Sequence, residues 1–466
     1  MTMPVTLVEA AAALASGSLT SVDLTTAALE TIDRRDAELG AFVTVTAEPA
    51  LAAARAADRA FDAGVVRGPL QGIPLAVKDN IATRDAPTTA NSRVLAPGWG
   101  GGADATSVAR LRAAGAVLVG KATTSEFACG LPDPALGFPI PRNPWDPRLT
   151  PSGSSAGTAI AVATGMALGG LGTDTAGSVR APAAATGITG LKPTYGLVPT
   201  HGVVPLAPSL DTVGPMARSS RDCALLLQAL AGPDRTDLRG AAVPHDGPVL
   251  DGDLTGLRVG LPRRGWLDDP AVSTEVAAAL ATVVDELAAA GADLVEVTVP
   301  LRSEAWHANN LIWLHEAFAL HRADLATRWS DYGASTRETL ARGAFVSEGD
   351  YARATVVREL FRRAAAVVFE EVDVLLTPYF VAPLPRWDEE DMGGLFSGTG
   401  FSGQWNLAGL PAMSLPCGVG VDGLPLSCQL VGRGFDEATL LRVADAYQRR
   451  TGWHRRVPPA GASTRH

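Results

Sequence analysis

Stretches with apolar residues at helical spacing alternate along the chain with short continuous apolar runs. Leu and Ala recur at three- and four-residue intervals between Thr6 and Ala63, which predicts helices over about 21–35 and 48–63, the first opened by Ser21 as N-cap. Gly68-Pro69-Leu70 ends that pattern, and the run Ile73 to Val77 predicts a buried strand that delivers Lys78 at its end. Asp104 caps a predicted helix to Ala114, and Ala116 to Val119 follows as a strand. Beyond a helix near Arg221 to Ala231, residues 232–256 are rich in Gly, Pro and Asp and predict a long loop. The rhythm then returns, with strands at Arg258 to Leu261 and Asp293 to Val297, a helix at about 272–290 between them, and mostly helix from Ser303 to Glu370. Further strands are predicted at Val372 to Thr377, Ala412 to Leu415 and Cys428 to Val431, the last two bracketing the turn Val421-Asp422-Gly423, and Pro458 to His466 reads as a tail. Such alternation predicts an α/β fold with helices on both faces of a sheet.

One stretch departs from the rhythm. From Leu149 to Thr173 no side chain is ionisable, yet Gly, Ala, Ser and Thr predominate over Leu, Ile and Phe. It is too weakly apolar, and too interrupted by Gly and Pro, for a membrane span of about 20 apolar residues. It predicts a tightly packed buried helix with hydroxyls at its ends, followed by a Gly-rich turn around Asp174 to Ser178. Hydroxyls beside exposed backbone N–H groups are the ingredients of acyl transfer.

Composition narrows the class. With 47% hydrophobic and 19% charged residues, the 466-residue chain is expected to be globular, and a net charge of −10 argues against nucleic acid as a partner. Cys129, Cys223, Cys417 and Cys428 are scattered without CxxC spacing, so neither a zinc site nor a disulfide framework is expected. The N-terminus has no basic start followed by an apolar run, which implies a cytoplasmic protein.

The segment GSSAG at 153–157, followed after sixteen residues by DTAGSVRAPAAATGITGLKPTYG and preceded by GIPLAVKDNI, resembles the amidase signature family of Ser-Ser-Lys hydrolases. The likeness is close over about Gly68 to Leu227 and looser over nearly the whole chain. It implies one domain over 1–466, built on a central mixed twisted sheet flanked by helices, with a signature core at about 68–227 and a part at about 257–457 shaping the substrate pocket. It also implies Ser178 as nucleophile, Ser154, 24 residues earlier, as bridging serine, and Lys78 as base. A cis peptide at Gly153–Ser154 and an oxyanion hole made by the N–H groups of Thr175, Ala176, Gly177 and Ser178 belong to the same implication, with no metal or cofactor. Asp174 and Arg180 are expected to brace the loop. Where the family usually has two glycines before the nucleophile, this chain has Ala176-Gly177, so a positive φ at 176 would be costly.

Lysine usage supports Lys78 independently. Of 39 basic residues only Lys78, Lys121 and Lys192 are lysines. Arg cannot give up its proton in a protein, whereas burial lowers the pKa of Lys far enough for it to act as a base.

Three other motifs are set aside. Gly153 to Gly157 fits the G-x-S-x-G elbow with Ser155 as nucleophile, but Asn143-Pro144-Trp145-Asp146-Pro147 before it breaks strands. Gly398 to Gly403 fits G-x-G-x-x-G without a leading strand, and His307, His315 and His321 lack metal-binding spacing.

For substrate, the regions Ser303 to Tyr332 and Met392 to Trp405 hold Trp306, Trp313, Phe396, Phe401 and Trp405, contain no Lys, and have Arg only at Arg322 and Arg328. A pocket of Trp306, Trp313, Phe401 and Trp405 is expected to favour neutral aryl or alkyl amides, and aryl carbamates as in a urethanase. The expected partners are then that small molecule alone, with no nucleic acid and no membrane, for a monomer or homodimer. The alternative is the glutamine-hydrolysing A subunit of a transfer-RNA-dependent amidotransferase. Against it stand Thr399, where that protein has an acidic glutamine-binding residue, and a poorly kept motif around Arg342 to Ser347. A catalytically silent binding protein is a third class.

Overall fold

The computed structural model describes residues 3–237, 239–241, 247–382, 384, 386 and 400–459. Eleven strands form one mixed sheet: β1 (Phe42–Val45), β2 (Pro74–Lys78), β3 (Val117–Ala122), β4 (Gly169–Asp174), β5 (Thr189–Lys192), β6 (Thr212–Ala217), β7 (Arg258–Pro262), β8 (Asp293–Val297), β9 (Val374–Pro378), β10 (Ala412–Val419) and β11 (Pro425–Gly432). Their order across the sheet is β1-β3-β2-β4-β6-β5-β10-β11-β9-β7-β8. The neighbours β3, β2 and β4 are parallel, as are β9, β7 and β8, and the other pairings are antiparallel.

Both faces are covered because successive strand residues point to opposite sides. Leu75 and Leu171 pack with Leu226 and Leu227 of the helix Ser220–Leu230, whereas Ala76, Val117 and Val119 pack with Ile160 and Ala161 of the helix Ala156–Thr164. The small residues of that second helix and of β4 serve close approach. A Cβ on Gly172 would lie 2.7 Å from Ser155 Oγ and 2.9 Å from Met216 Sδ. This explains why β4, whose sequence is GGLGTD, carries no apolar run and escapes a pattern-based reading.

The elements that the sequence pattern names lie within a few residues of their expected bounds, while β1, β5 and β6, like β4, answer to no expected strand. Ser21 is corrected: Thr20 is the N-cap, in a capping box with Asp23, while the Ser21 hydroxyl donates to Gly72 O at 2.8 Å. Asp104 caps no helix, since the helix Thr106–Ala113 has no side-chain cap; Asp104 pairs instead with Arg112 at 3.0 Å. The long helical region divides into Arg302–Thr327, Ala334–Arg342 and Glu348–Glu371. Of the expected tail, Pro458 is buried, the Pro459 carbonyl accepts from Arg35, and 460–466 lie outside the described residues.

Candidate active site

The parallel strands β2 and β4 are neighbours, and Lys78 ends one as Asp174 ends the other, so both deliver residues at the C-terminal ends of the two strands. The helix Ala156–Thr164 begins there too. Ser155 N–H donates to Ser178 O at 3.1 Å, and Ser155 Oγ bridges the Thr173 carbonyl (3.2 Å) and N–H (3.3 Å). Those bonds, made by a fully buried hydroxyl, give Ser155 a bracing position and bring Ser154 over the strand ends. Ser154 follows a cis peptide at Gly153–Ser154.

Lys78 Nζ lies 2.7 Å from Ser154 Oγ and 2.7 Å from Thr173 Oγ1, to which Asn80 Nδ2 also donates at 3.0 Å. Its side chain is completely buried. Burial pulls its pKa from 10.5 down to about 7, against the opposing pull of the Asp174 and Asp211 carboxylates. Lys121 and Lys192 are buried as well, but Lys121 pairs with Asp79 at 3.1 Å and Lys192 donates to the Pro193 carbonyl.

Asp174 organises the loop that carries Ser178. It accepts from the backbone N–H of Gly177 (2.7 Å) and Val179 (3.1 Å), and from Arg180 and Asn406. Burial works against its ionisation, but Arg180 and Lys192, with the bonds from Arg180 and Asn406, outweigh it and hold the carboxyl well below the usual carboxylate range. Arg180 is fully buried and reaches Gln429 and the Ser402 carbonyl besides Asp174. One of the four expected oxyanion donors is engaged: Gly177 N–H is spent on Asp174, and the N–H groups of Thr175, Ala176 and Ser178 have no protein partner among the described residues. Ala176 does not have a positive φ; the residue that does is Gly177, at 137°.

Asp211 was not legible as a site residue. Its carboxylate accepts from the Thr175 hydroxyl at 2.6 Å and from the N–H groups of Leu206 and Ala207. Burial raises its pKa to about 6 despite those bonds.

Above the serines opens a cavity of about 120 Å³. Ser154, Thr175 to Ser178 and Gly153 form its floor; Ser125, Ala128 to Pro132, Leu206, Trp306, Asn310 and Trp313 form its walls. Trp306 and Trp313 thus line it. Phe401 and Trp405 do not: both are buried against Trp266, at 5.7 and 5.3 Å between ring centres, and Trp405 also meets Phe361. Phe396, Thr399 and Gly398 lie outside the described residues. His307 contacts Ser303 O, His321 contacts Tyr332, and among the described residues no group of His, Cys, Asp and Glu is arranged to hold a metal.

A buried lysine held near neutrality, a serine against it, and a second serine on a loop with free N–H groups can pass a proton and hold an oxyanion. The fold and this cluster define an enzyme that acts on acyl C–N bonds. The chain belongs to the amidase signature family, whose Amidase model matches residues 23–441. It is 42% identical to the A subunit of the glutamyl-tRNA(Gln) amidotransferase of Chloroflexus aurantiacus, over 97% of this chain and 98% of that one. Among solved structures, the peptide amidase of Stenotrophomonas maltophilia is 32% identical with a TM-score of 0.82, covering 98% of this chain and 99% of that one. The A subunit of the glutamyl-tRNA(Gln) amidotransferase of Thermotoga maritima is 30% identical with a TM-score of 0.77, over 92% and 91%.

These relatives overturn two expectations. The preference for neutral aryl or alkyl amides and carbamates rested on aromatic residues of which two are core, whereas full-length relatives at 42% identity are amidotransferase subunits. The expectation of a lone small-molecule enzyme with no nucleic-acid partner fails on the same finding. Net charge reports on direct phosphate contact and does not address an assembly in which another protein holds the nucleic acid. No helix among the described residues is long and apolar enough to cross a membrane.

Proposed function

We propose that this chain is the glutamine-hydrolysing A subunit of a cytoplasmic transfer-RNA-dependent amidotransferase. The observation that carries the reading is the 42% identity, along essentially the full length of both chains, with the A subunit of a glutamyl-tRNA(Gln) amidotransferase. The site chemistry supports it. Neutral Lys78 takes the proton of Ser154 as Ser154 takes that of Ser178, and Ser178 Oγ bonds to the carboxamide carbon of glutamine. The N–H groups of Thr175, Ala176 and Ser178 hold the oxyanion. Collapse returns the proton through Ser154 to the leaving nitrogen and releases ammonia; water then cleaves the γ-glutamyl ester to glutamate by the same relay.

The cavity supports a neutral reacting group at its floor. Cys129 is its one ionisable described lining residue, and burial pushes that thiol up, so it stays uncharged. The uncharged carboxamide end of glutamine fits there, with the charged head toward the mouth. The test is release of glutamate and ammonia from glutamine by the chain alone and with the other amidotransferase subunits and glutamyl-tRNA. Expected are glutaminase activity and amidated transfer RNA in the reconstituted assembly. No glutamine hydrolysis under either condition, with a peptide amide cleaved readily, would overturn the reading.

A further inference from the structure

The loop from Asp174 to Arg180 is not held in shape by its own bonds to Asp174 and Ala181 alone. A peptide unit is planar, with its N–H and C=O pointing in opposite directions, so the direction of a free N–H is set by whatever binds the carbonyl of the same unit. Two successive units decide where the Ser178 N–H points: the first fixes the position of Gly177, and the second carries the donor. In the unit joining Ala176 and Gly177, the N–H donates to Asp174 Oδ1 at 2.7 Å while the carbonyl accepts from Ser402 Oγ at 2.7 Å. In the unit joining Gly177 and Ser178, the carbonyl accepts from Ala181 N–H at 2.7 Å and from Tyr379 Oη at 3.3 Å. The Ser178 N–H is then directed opposite to that carbonyl, on a residue that lines the cavity.

Both hydroxyls come from the far half of the chain. Tyr379 directly follows β9, Ser402 directly precedes the helix Gly403–Ala408, and each is only 1% exposed. They also occupy the space that a side chain at 177 would need. A Cβ there would lie 2.6 Å from Tyr379 Oη and 2.9 Å from Ser402 Oγ, and the φ of 137° is one that L-residues other than Gly rarely adopt. The glycine, the two hydroxyls and the two peptide planes therefore fit as one unit.

The geometry points to Ser402 and Tyr379 as positioning residues for the Ser178 donor of the oxyanion hole: Tyr379 binds the carbonyl of the peptide unit that carries this N–H, and Ser402 clamps the unit before it, whose own N–H is committed to Asp174. Neither touches the reacting atoms. The inference rests on acyl transfer at Ser178, and it holds for any amide that is cleaved there.

The test combines Ser402→Ala, Tyr379→Phe and the double variant with Ser402→Thr, which keeps a hydroxyl. For whichever amide the wild type turns over, each single removal is expected to lower kcat about tenfold and the double about a hundredfold, with KM within about twofold, since the hole acts on the transition state. Ser402→Thr restores the rate. The rate of Ser178 phosphonylation by a fluorophosphonate should fall in parallel, because charge develops on the same oxygen, and thermal melting checks that the variants fold. Phosphonylation rates equal to wild type in the folded double variant, or losses confined to KM, overturn the inference. Failure of the glutamine reading would show separately, as a wild type that is phosphonylated at Ser178 yet leaves glutamine intact.

Discussion

Lys78 and Thr173 meet across two adjacent parallel strands, with Nζ 2.7 Å from Oγ1, and the same nitrogen stands 2.7 Å from Ser154 Oγ. Thr173 thus turns a lysine that has no acid within hydrogen-bonding distance among the described residues toward a serine. Because burial has already brought its pKa to about 7, the lysine loses its extra proton as the pH rises through neutrality. Protonation fills the lone pair that must accept from Ser154. Activity is therefore expected to rise with pH through an acid limb near 7 in kcat/KM; a profile that stays flat across about pH 5.5 to 9 would count against Lys78 as the base.

Lys78→Arg is expected to be nearly as inactive as Lys78→Ala, below about a hundredth of wild-type kcat. The arginine keeps the charge and much of the length but cannot lose its proton. Retention of more than about a tenth of kcat by the Arg variant would remove the base assignment.

Asp211 adds negative potential at Lys78 and so resists the downward shift of its pKa. Replacing it as Asp211→Asn keeps an acceptor for the Thr175 hydroxyl but removes the charge. The acid limb of the pH profile should then move to lower pH. A limb that moves upward, or does not move, would show that the charge of Asp211 is not felt at the lysine.

The pair Asp174 and Arg180 has no exposed surface on either side chain. Arg180→Met strands a carboxylate that also organises the nucleophile loop, and should cost about 3–5 kcal/mol of stability together with most of the activity. Urea unfolding followed in parallel with turnover measures both, and a variant as stable as wild type would contradict the bracing role.

A fluorophosphonate is expected to label Ser178 and to leave Ser155 untouched, since the Ser155 hydroxyl is buried and engaged with the Thr173 backbone. Peptide mapping of the adduct decides between them, and an adduct at Ser155 would overturn the assignment of the nucleophile.

Residue order, with the resemblance it carries, was enough to mark the proposed reacting positions and the α/β alternation. Lys78, Ser154 and Ser178 are marked because the motifs that carry the family resemblance are local, and for Lys78 lysine is rare enough here for its use to be informative. The strands with apolar runs are legible for the same reason, whereas β4 is not, because its glycines answer to neighbours in space. What holds those positions is visible in the folded chain and nowhere else. Asp174 is braced by Asn406 from 232 residues away and Arg180 by Gln429 from 249, and no short-range pattern encodes such pairings. Folding also settles which donors are free, since the use of Gly177 N–H depends on where the Asp174 carboxylate lies. It separates Trp306 and Trp313, in the cavity wall, from Phe401 and Trp405, in the core. The physical reason is that composition records how apolar a residue is, while packing alone decides whether it faces a neighbour or a cavity.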